Sequence, residues 1–371
     1  MKIFDLIVIG AGPAGSTCAT LCADAGQRVL LLEASRFPRD KVCGDCLNPA
    51  SWPVLERLAL TERVRGLPST SPEKIRFSVA SAGSREIPIP ASKIASSELV
   101  VRRRDLDELL ADRAVEAGAL FQDGSPVTAL HRTAGFPGTP AGWEVITSSG
   151  DRLLGKHIVA ADGRNSVTAR FLGMHAARSH NGRIGIQNHI PHPAGYDGSL
   201  EMRIYRHGYG GLADLGNGLA NLCLVANAGE MKELRKEAEI HYGLSPACAW
   251  RSITPISRAT ARHVARDGVF LCGDAARVVE PFTGEGISYA LRSGALLADI
   301  LNSCKFGSKM ELKPREELYR KAHRDLYRNG LFVNRLTCLL SEHPKLAHTL
   351  SPILLKYPWA LSFLTSKVIT M

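Results

Sequence analysis

The sequence predicts an α/β protein: a parallel-sheet domain, an antiparallel-sheet domain inserted into it, and a helical C-terminal tail. Three observations carry this. The apolar run FDLIVIG ends in glycine and is followed by a helical stretch from Pro13 to Ala25 and a second apolar run, RVLLLE, which is the order of a βαβ unit. Two later apolar runs, KHIVAADG and GVFLCGDAA, are further buried strands that each end in a Gly/Asp pair. Between them RIGIQNHIP, SLEMRIYRH and GLANLCLVANA read as half-buried strands between glycine-rich turns, the texture of an antiparallel sheet.

The remaining elements follow in order. Leu106, Leu109, Leu110, Ala114 and Ala117 recur at helical spacing and predict a helix over 104–117. It leads into ALFQDGSPVTAL, read as two short strands. From about 306 the chain is mostly helical, punctuated by Pro344, Pro352 and Pro358. The predicted domains are 1–75, 96–175 and 260–305 for the parallel sheet, 76–95 and 176–259 for the inserted one, and 306–371 for the tail.

At 371 residues with 45 % hydrophobic content, the chain can fill a sizeable core. Nine cysteines leave one thiol over, which argues against a disulfide framework and for a reducing, cytoplasmic setting. The apolar N-terminal run is broken by three glycines, a proline and Asp24 well short of the roughly 18 residues a spanning helix needs. The expectation is a soluble or peripheral protein. The formal charge of +10 raises nucleic acid as a partner, yet the densest basic cluster is only Arg102, Arg103 and Arg104, with no aromatics interleaved for base stacking. No nucleic-acid partner is expected; the charge suits an anionic cofactor, an acidic substrate or an anionic membrane face.

Gly10, Gly12 and Gly15 form G-x-G-x-x-G between a strand and a helix, the Rossmann-type fingerprint. The first glycine permits the tight turn, the second lets the backbone approach a pyrophosphate, and the third lets helix and strand pack closely. Pro13 and Ala14 open the helix, whose free N–H groups and positive end favour phosphate. Glu33, followed by Ala34, ends the next strand where a ribose would be held. The motif does not say which dinucleotide binds.

Four blocks in order, the fingerprint, VRRRDLDELLADRAVEAGA, AADGRNSVTARFLG and LCGDAARVVEPFTGEGISYALRSG, resemble the FAD-dependent oxidoreductases of the aromatic hydroxylase superfamily, the group A flavoprotein monooxygenases. The resemblance implies a Rossmann-type, glutathione-reductase-like FAD-binding domain carrying an inserted substrate domain. It places Arg103 near the pyrophosphate or ribityl chain, Asp162 and Gly163 near the cofactor, and Asp274, after Gly273, on a ribityl hydroxyl. Val127 joins the implied cofactor-binding residues. Gly284, Glu285, Gly286 and Ile287 open a helix whose positive end would stabilise charge on the reduced flavin. Glu285 otherwise reads as a solvated charge. Only one dinucleotide fingerprint is present, so NAD(P)H is expected as a transient reductant unless a protein donor supplies the electrons.

Within the superfamily, FPRDKVCGDCLNP and VEPFTGEGISYALRSG look most like the geranylgeranyl reductase branch, whose reductases saturate double bonds in polyprenyl chains. The W-x-W-x-I-P signature of the related halogenases is missing. The branch's aromatic Y-x-W-x-F-P stretch corresponds to HGYGGLADLG, which retains Tyr209 but has Gly211 and Ala213 at the bulky positions. The expected function is reduction of a carbon–carbon double bond in a lipophilic small molecule; the alternatives are an NAD(P)H- and oxygen-dependent aromatic hydroxylase and an electron-relay flavoprotein. Cys46, His189, Tyr205 and Tyr209 are candidate proton donors.

KVCGDCLNPAS holds a C-x-x-C pair, which would serve a thioredoxin-like dithiol if Asn48 to Leu60 supplied a helix behind it. No second pair completes a zinc site, so no metal is expected. The preferred reading is a loop along the flavin, with Cys43, Gly44 and Asp45 near the cofactor and Cys46 facing it or the substrate. The tail SPILLKYPWALSFLTSKVITM is apolar with an interfacial Tyr-Pro-Trp, and would contact a membrane, cover a lipophilic tunnel or pack on the core.

Overall fold

The computed structural model describes residues 3–79, 82–89, 98–134, 141–175, 182–245, 247–254, 256, 259–303 and 312–328, with isolated residues between 343 and 363. Pro344, Pro352, Pro358 and most of the expected helical tail lie outside the described residues.

Along the chain, strand β1 (Ile3–Ile9) leads to helix α1 (Pro13–Asp24) and strand β2 (Val29–Leu32). Short strands β3 (Cys46–Leu47) and β4 (Ser69–Thr70) follow, then β5 (Lys74–Val79), β6 (Gly83–Pro88) and β7 (Leu99–Val101). Helix α2 (Arg103–Glu116) precedes β8 (Leu120–Gln122), β9 (Val127–Thr133), β10 (Gly142–Thr147) and β11 (Arg152–Ala160). After helix α3 (Val167–Phe171) come β12 (Arg183–Pro191), β13 (Leu200–Ile204), β14 (Tyr209–Gly216) and β15 (Leu219–Asn227). Helix α4 (Met231–Tyr242), β16 (Arg251–Ile253), β17 (Val269–Leu271), helix α5 (Gly286–Asn302) and helix α6 (Leu312–Leu326) complete the described elements used below.

Five strands pair in parallel in the order β17, β11, β1, β2, β8, with β10 and β9 folded back antiparallel on β11. Because β1 is covered on both faces, its side chains are apolar on both, apart from Asp5 near its start. The second sheet runs β16-β12-β15-β14-β13-β5-β6, so the hairpin at 74–88 joins strands more than a hundred residues later. Among the described residues, only its β13–β5 pair is parallel. A small ladder, β3-β7-β4, lies between the two sheets in sequence and brackets the start of α2.

Glycine sets how closely the parallel sheet and its helices approach. A Cβ on Gly15 would lie 1.9 Å from the Gly10 carbonyl oxygen, and one on Gly294 in α5 would lie 2.3 Å from the Ala14 carbonyl oxygen. Helix α1 is buried along nearly its whole length, and its small Ser16, Thr17, Cys18 and Ala19 side chains permit this crossing. Burial there is dense packing, which tolerates little added volume. Gly294→Ala is therefore expected to lower thermal stability by about 1–3 kcal/mol, the usual cost of overpacking, read as a lower Tm; an unchanged Tm would show that α1 and α5 can separate freely.

Candidate active site

The fingerprint glycines sit at the carboxyl end of β1. Gly10 has φ +103, and a Cβ there would lie 2.4 Å from the Ala161 carbonyl oxygen, so only glycine fits the turn. Gly12 faces open space: the nearest atoms to a Cβ would be Arg39 Nη2 at 3.8 Å and Arg103 Nη2 at 3.9 Å. Pro13 is the first residue of α1, where a missing N–H costs nothing. Glu33 is buried at the end of β2; it accepts from Ala11 N at 2.9 Å and Ser35 N at 3.1 Å. Ala34 is exposed beside it. Val127 begins β9, two residues after Ser125, whose N–H donates to the Glu33 carbonyl at 2.8 Å.

Of the three consecutive arginines, Arg103 alone is buried. Its guanidinium forks onto Asp107, with Nε–Oδ1 and Nη2–Oδ2 both 2.8 Å, and Arg39 Nη1 reaches the same carboxylate at 2.8 Å. Burial pushes the Asp107 carboxyl up, but Arg103, Arg39 and Lys41 more than offset this and hold it below the ordinary value. Arg39 and Lys41 were not singled out in the sequence; their signal is the basic run FPRDK in the loop after the ribose-binding acid.

On the opposite side of the cleft, Asp162 Oδ2 accepts from Thr168 N at 3.0 Å and so caps α3, while Oδ1 is buried with no hydrogen-bond partner. Gly163, at φ +78, lies close to the Lys41 ammonium. Arg164 Nη2 pairs with Asp274 at 3.1 Å and its Nη1 is likewise buried and unpartnered. Gly273, at φ +58, donates its N–H to Ser293 Oγ at 2.9 Å. Gly284, at φ +68, ends a 3₁₀ turn, and Gly286 and Ile287 open the seventeen-residue α5, with nothing within 4 Å of a Cβ on Gly286. Glu285 is 4 % exposed, which corrects the reading of it as a solvated charge. Open glycines at 12, 44 and 286, a helix N-terminus on each side and two orphaned buried polar atoms form a cradle that fits a flavin dinucleotide.

The C-x-x-C loop closes this cradle. Cys46 starts β3, and the stretch behind it is a 3₁₀ turn at Pro49–Ser51 and a short helix at Trp52–Arg57, so the pair does not sit at a helix N-terminus. Burial pushes the Cys43 thiol up and the Cys46 thiol well above the ordinary value, opposite to an activated dithiol. The loop is instead clasped by the second sheet. The Cys43 carbonyl accepts from Gln187 Nε2 at 2.9 Å, Asn221 Nδ2 at 2.8 Å and Cys223 Sγ at 3.2 Å. Asp45, at φ +59 and buried, accepts from Arg103 N at 3.1 Å and Asn221 Nδ2 at 2.8 Å.

A cavity of about 630 Å³ runs from this loop along the second sheet. Its register explains the lining. Alternate residues share a face, so Asn221, Cys223 and Val225 of β15 lie across from Ala213, Gly211 and Tyr209 of β14, then Leu200, Met202 and Ile204 of β13, then Ile75, Phe77 and Val79 of β5. All twelve line the cavity, and Gly211 and Ala213 make its floor a trough. Leu355 and Leu361 close the far end with Val79 and Ile87. Glu98, one residue before β7, also faces this space and was not anticipated. Its only sequence signal is a lone charge at the head of the apolar run ELVV.

Of the proton-donor candidates, Cys46 and Tyr209 line the cavity. Tyr209 donates to Glu280 at 2.8 Å, and Glu280 is held by Arg183 at 2.6 Å in a fully buried pair. Two candidates are corrected. Tyr205 follows Ile204, so alternation turns its ring to the opposite face, into the cluster with Leu234 and Ala238 of α4. His189 lies behind the clasped loop, 3.7 Å from Asp45 Oδ2, and is not part of the cavity lining.

A glycine-built dinucleotide cradle opening onto a substrate trough defines an FAD-dependent oxidoreductase of the aromatic hydroxylase-like superfamily. A family model described as FAD binding domain matches residues 4–204 and 227–309, and the chain belongs to that family. It is 29 % identical to a menaquinone reductase of Mycolicibacterium smegmatis, over 95 % of this chain and 88 % of that protein. It is 26 % identical to a digeranylgeranylglycerophospholipid reductase of Thermoplasma acidophilum, over 92 % and 90 %. Among solved structures, the flavin-dependent brominase Bmp2 superposes with a TM-score of 0.78 at 19 % identity, over 99 % of this chain and 93 % of that one. Pseudomonas aeruginosa PqsL, solved with 2-aminobenzoylacetate, gives 0.77 at 18 %, over 93 % and 98 %. At these identities the two structures show the fold.

Replacing Cys43 and Cys46 together with serine is expected to leave FAD content unchanged, read from the visible spectrum of the purified protein. Both thiols should also alkylate at neutral pH more slowly than an exposed cysteine, because their thiolate fraction is suppressed. Loss of all activity with FAD retained would reinstate a working dithiol.

Proposed function

We propose that the protein is an FAD-dependent reductase that saturates a carbon–carbon double bond in the polyprenyl chain of a lipophilic molecule, with NAD(P)H as the transient electron source. The carrying observation is the trough: an apolar channel, floored by Gly211 and Ala213, that is continuous with the cradle and ends at Leu355 and Leu361. A linear aliphatic chain fills such a channel at about 0.8 kcal/mol per buried CH₂, whereas a compact phenolic ring would leave most of it empty. The proteins named menaquinone reductase and digeranylgeranylglycerophospholipid reductase support this, since both named substrates carry polyprenyl chains. Gly211 and Ala213, standing where the branch has bulky residues, widen the trough, and this is a departure from the pattern of the branch's polyprenyl reductases.

Bound FAD supplies the hydride in this reaction. The protein's part is to hold it and to orient the alkene. Gly12 and the start of α1, with Arg103 and Arg39 aimed at them, would take the pyrophosphate. Arg164, Asp274 and Asp162 would take the ribityl chain, and the N-terminus of α5 would stabilise negative charge at the pyrimidine edge of the ring. The Cys43–Cys46 loop, which lines the cavity, would form the wall between ring and trough.

We propose further that the segment at the trough's far end rests on a membrane surface, from which a lipophilic chain would enter. Tyr357, Trp359 and Phe363 are 50 %, 71 % and 55 % exposed beside Leu355 and Leu361. No helix among the described residues is long and apolar enough to cross a membrane. The charge of +10 suits anionic lipid.

Anaerobic incubation with NAD(P)H and a short-chain menaquinone tests the reaction. The expected product, after its headgroup is reoxidised to the quinone, retains two added hydrogens per saturated double bond in the prenyl chain, with no requirement for air. A product formed only in air and carrying an added oxygen would establish the hydroxylase instead, and flavin turnover only with a partner protein would establish the relay. Sedimentation with anionic vesicles tests the second proposal: Trp359→Ser with Phe363→Ser is expected to weaken binding several-fold while leaving FAD content unchanged, and equal binding would overturn it.

A further inference from the structure

Glu98 is a carboxyl group with an unusual setting. It is 7 % exposed, lines the cavity, and makes no hydrogen bond or ion pair with any described residue. Its place is fixed by the small ladder: Leu99 pairs with Leu47 and Val100 with Cys46, so Glu98 stands beside Asn48 on the strand edge that leads from the cradle. Cys46 connects the two ends of this region, since its Cβ lies 3.9 Å from where a Cβ on Gly284 would be, at the start of the helix that faces the flavin ring. Val100, two residues on and on the same face, packs with Ala213 and Leu200 of the trough. Glu98 therefore stands where the cradle passes into the trough.

A charged carboxylate in such a place would lack any compensating partner, and burying one costs several kcal/mol. A neutral carboxylic acid does not carry that cost. Resting on the reductase reading above, we propose that Glu98 is the catalytic acid of alkene reduction. The balance is closed by named species. Reduced flavin, when bound, would supply the hydride that one alkene carbon gains; the Glu98 hydroxyl gives its proton to the other carbon, and the π bond is replaced by two C–H bonds. The two electrons come from the flavin, and Glu98, left as carboxylate, regains a proton from bulk solvent.

Burial alone raises the Glu98 pKa to about 8, so the group is an acid through neutral pH. The titratable group facing it from β3 is the Cys46 thiol, itself neutral in this range; Cys43 and Asp45 act on that thiol from the same loop. Among the described residues, no charged side chain contributes to raising the Glu98 pKa.

The test uses the FAD-loaded protein, with the flavin reduced anaerobically and then mixed with a short-chain menaquinone. In the wild type, the rate of alkene saturation, read by mass spectrometry of the prenyl chain after the headgroup is reoxidised, should fall as pH rises through about 8. Glu98→Gln keeps the shape and should slow that step about 100-fold or more with FAD content unchanged, while Glu98→Asp, which keeps the proton, should recover part of the rate. Infrared difference spectra supply a readout independent of turnover: the carboxylic C=O band should vanish as pH is raised through about 8 in the wild type and be missing in Glu98→Gln. Undiminished rate in Glu98→Gln, or equal losses in the Gln and Asp variants, overturns the proposal while the reductase reading stands. A wild type that leaves the double bonds intact overturns both.

Discussion

Much of this structure depends on one buried carboxylate, Asp45. Its left-handed backbone turns the loop after β2 toward the second sheet, and its two oxygens are divided between α2 and β15. One accepts the N–H of Arg103 and so supplies a donor-seeking helix terminus with a partner from outside the helix; the other accepts from Asn221 on β15. Its carbonyl oxygen accepts from Val101, which fixes β7 as well. Burial pushes this carboxyl up, and the nearby His189 ring and the N–H of Arg103 work against that. A single residue thus caps α2, anchors the small ladder and ties the second sheet to the loop after β2. The cavity has a defined wall only because that clasp is made.

The parts of this arrangement that rest on backbone constraint were legible in the sequence. Gly10 and Gly15 announce contacts no side chain could survive, and the spacing between them sets strand, turn and helix. Arg103 was singled out from its neighbours by the motif it shares with the family, and the helix register that buries it against Asp107 gives the physical reason. What could not be read was any feature created by pairing distant strands. Gln187, Asn221 and Cys223 become a clasp only through the β12–β15 register, and the hairpin at 74–88 reaches the trough only through a parallel pairing with β13. Tyr205 was misplaced for the same reason: alternation decides its face, and a strand end just before it cannot be located to one residue from pattern alone.

Tyr209 shows how a cavity residue can be excluded from proton transfer by its own bonds. Its hydroxyl is already donated to Glu280, whose carboxylate is matched by Arg183, and burial together with that carboxylate holds the phenol proton tightly. Breaking such a pair by removing one partner would cost about 3–5 kcal/mol, so the trio acts as a fixed strut. Phe282 packs edge-on against the ring at 5.1 Å and extends the strut to the turn before α5. The tyrosine therefore shapes the trough and ties its wall to the helix that faces the cofactor.

The cavity as a whole is graded. Arg103, Arg39, Lys41 and Arg164 gather around the fingerprint end, while the β13 and β5 faces present aliphatic and aromatic side chains without a charge between them. Such a gradient orients what enters, because a polar group moved toward β5 loses its hydrogen-bond partners and an alkyl chain moved toward the arginines loses its burial. Low polarity in the trough also sets the behaviour of any ionisable group within it, since the field of the arginines is partnered locally by Asp107, Glu33 and Asp274 and does not reach across to compensate a second charge. The same partnering that makes the cradle rigid thus leaves the trough electrically quiet, and in such a place a carboxyl keeps its proton.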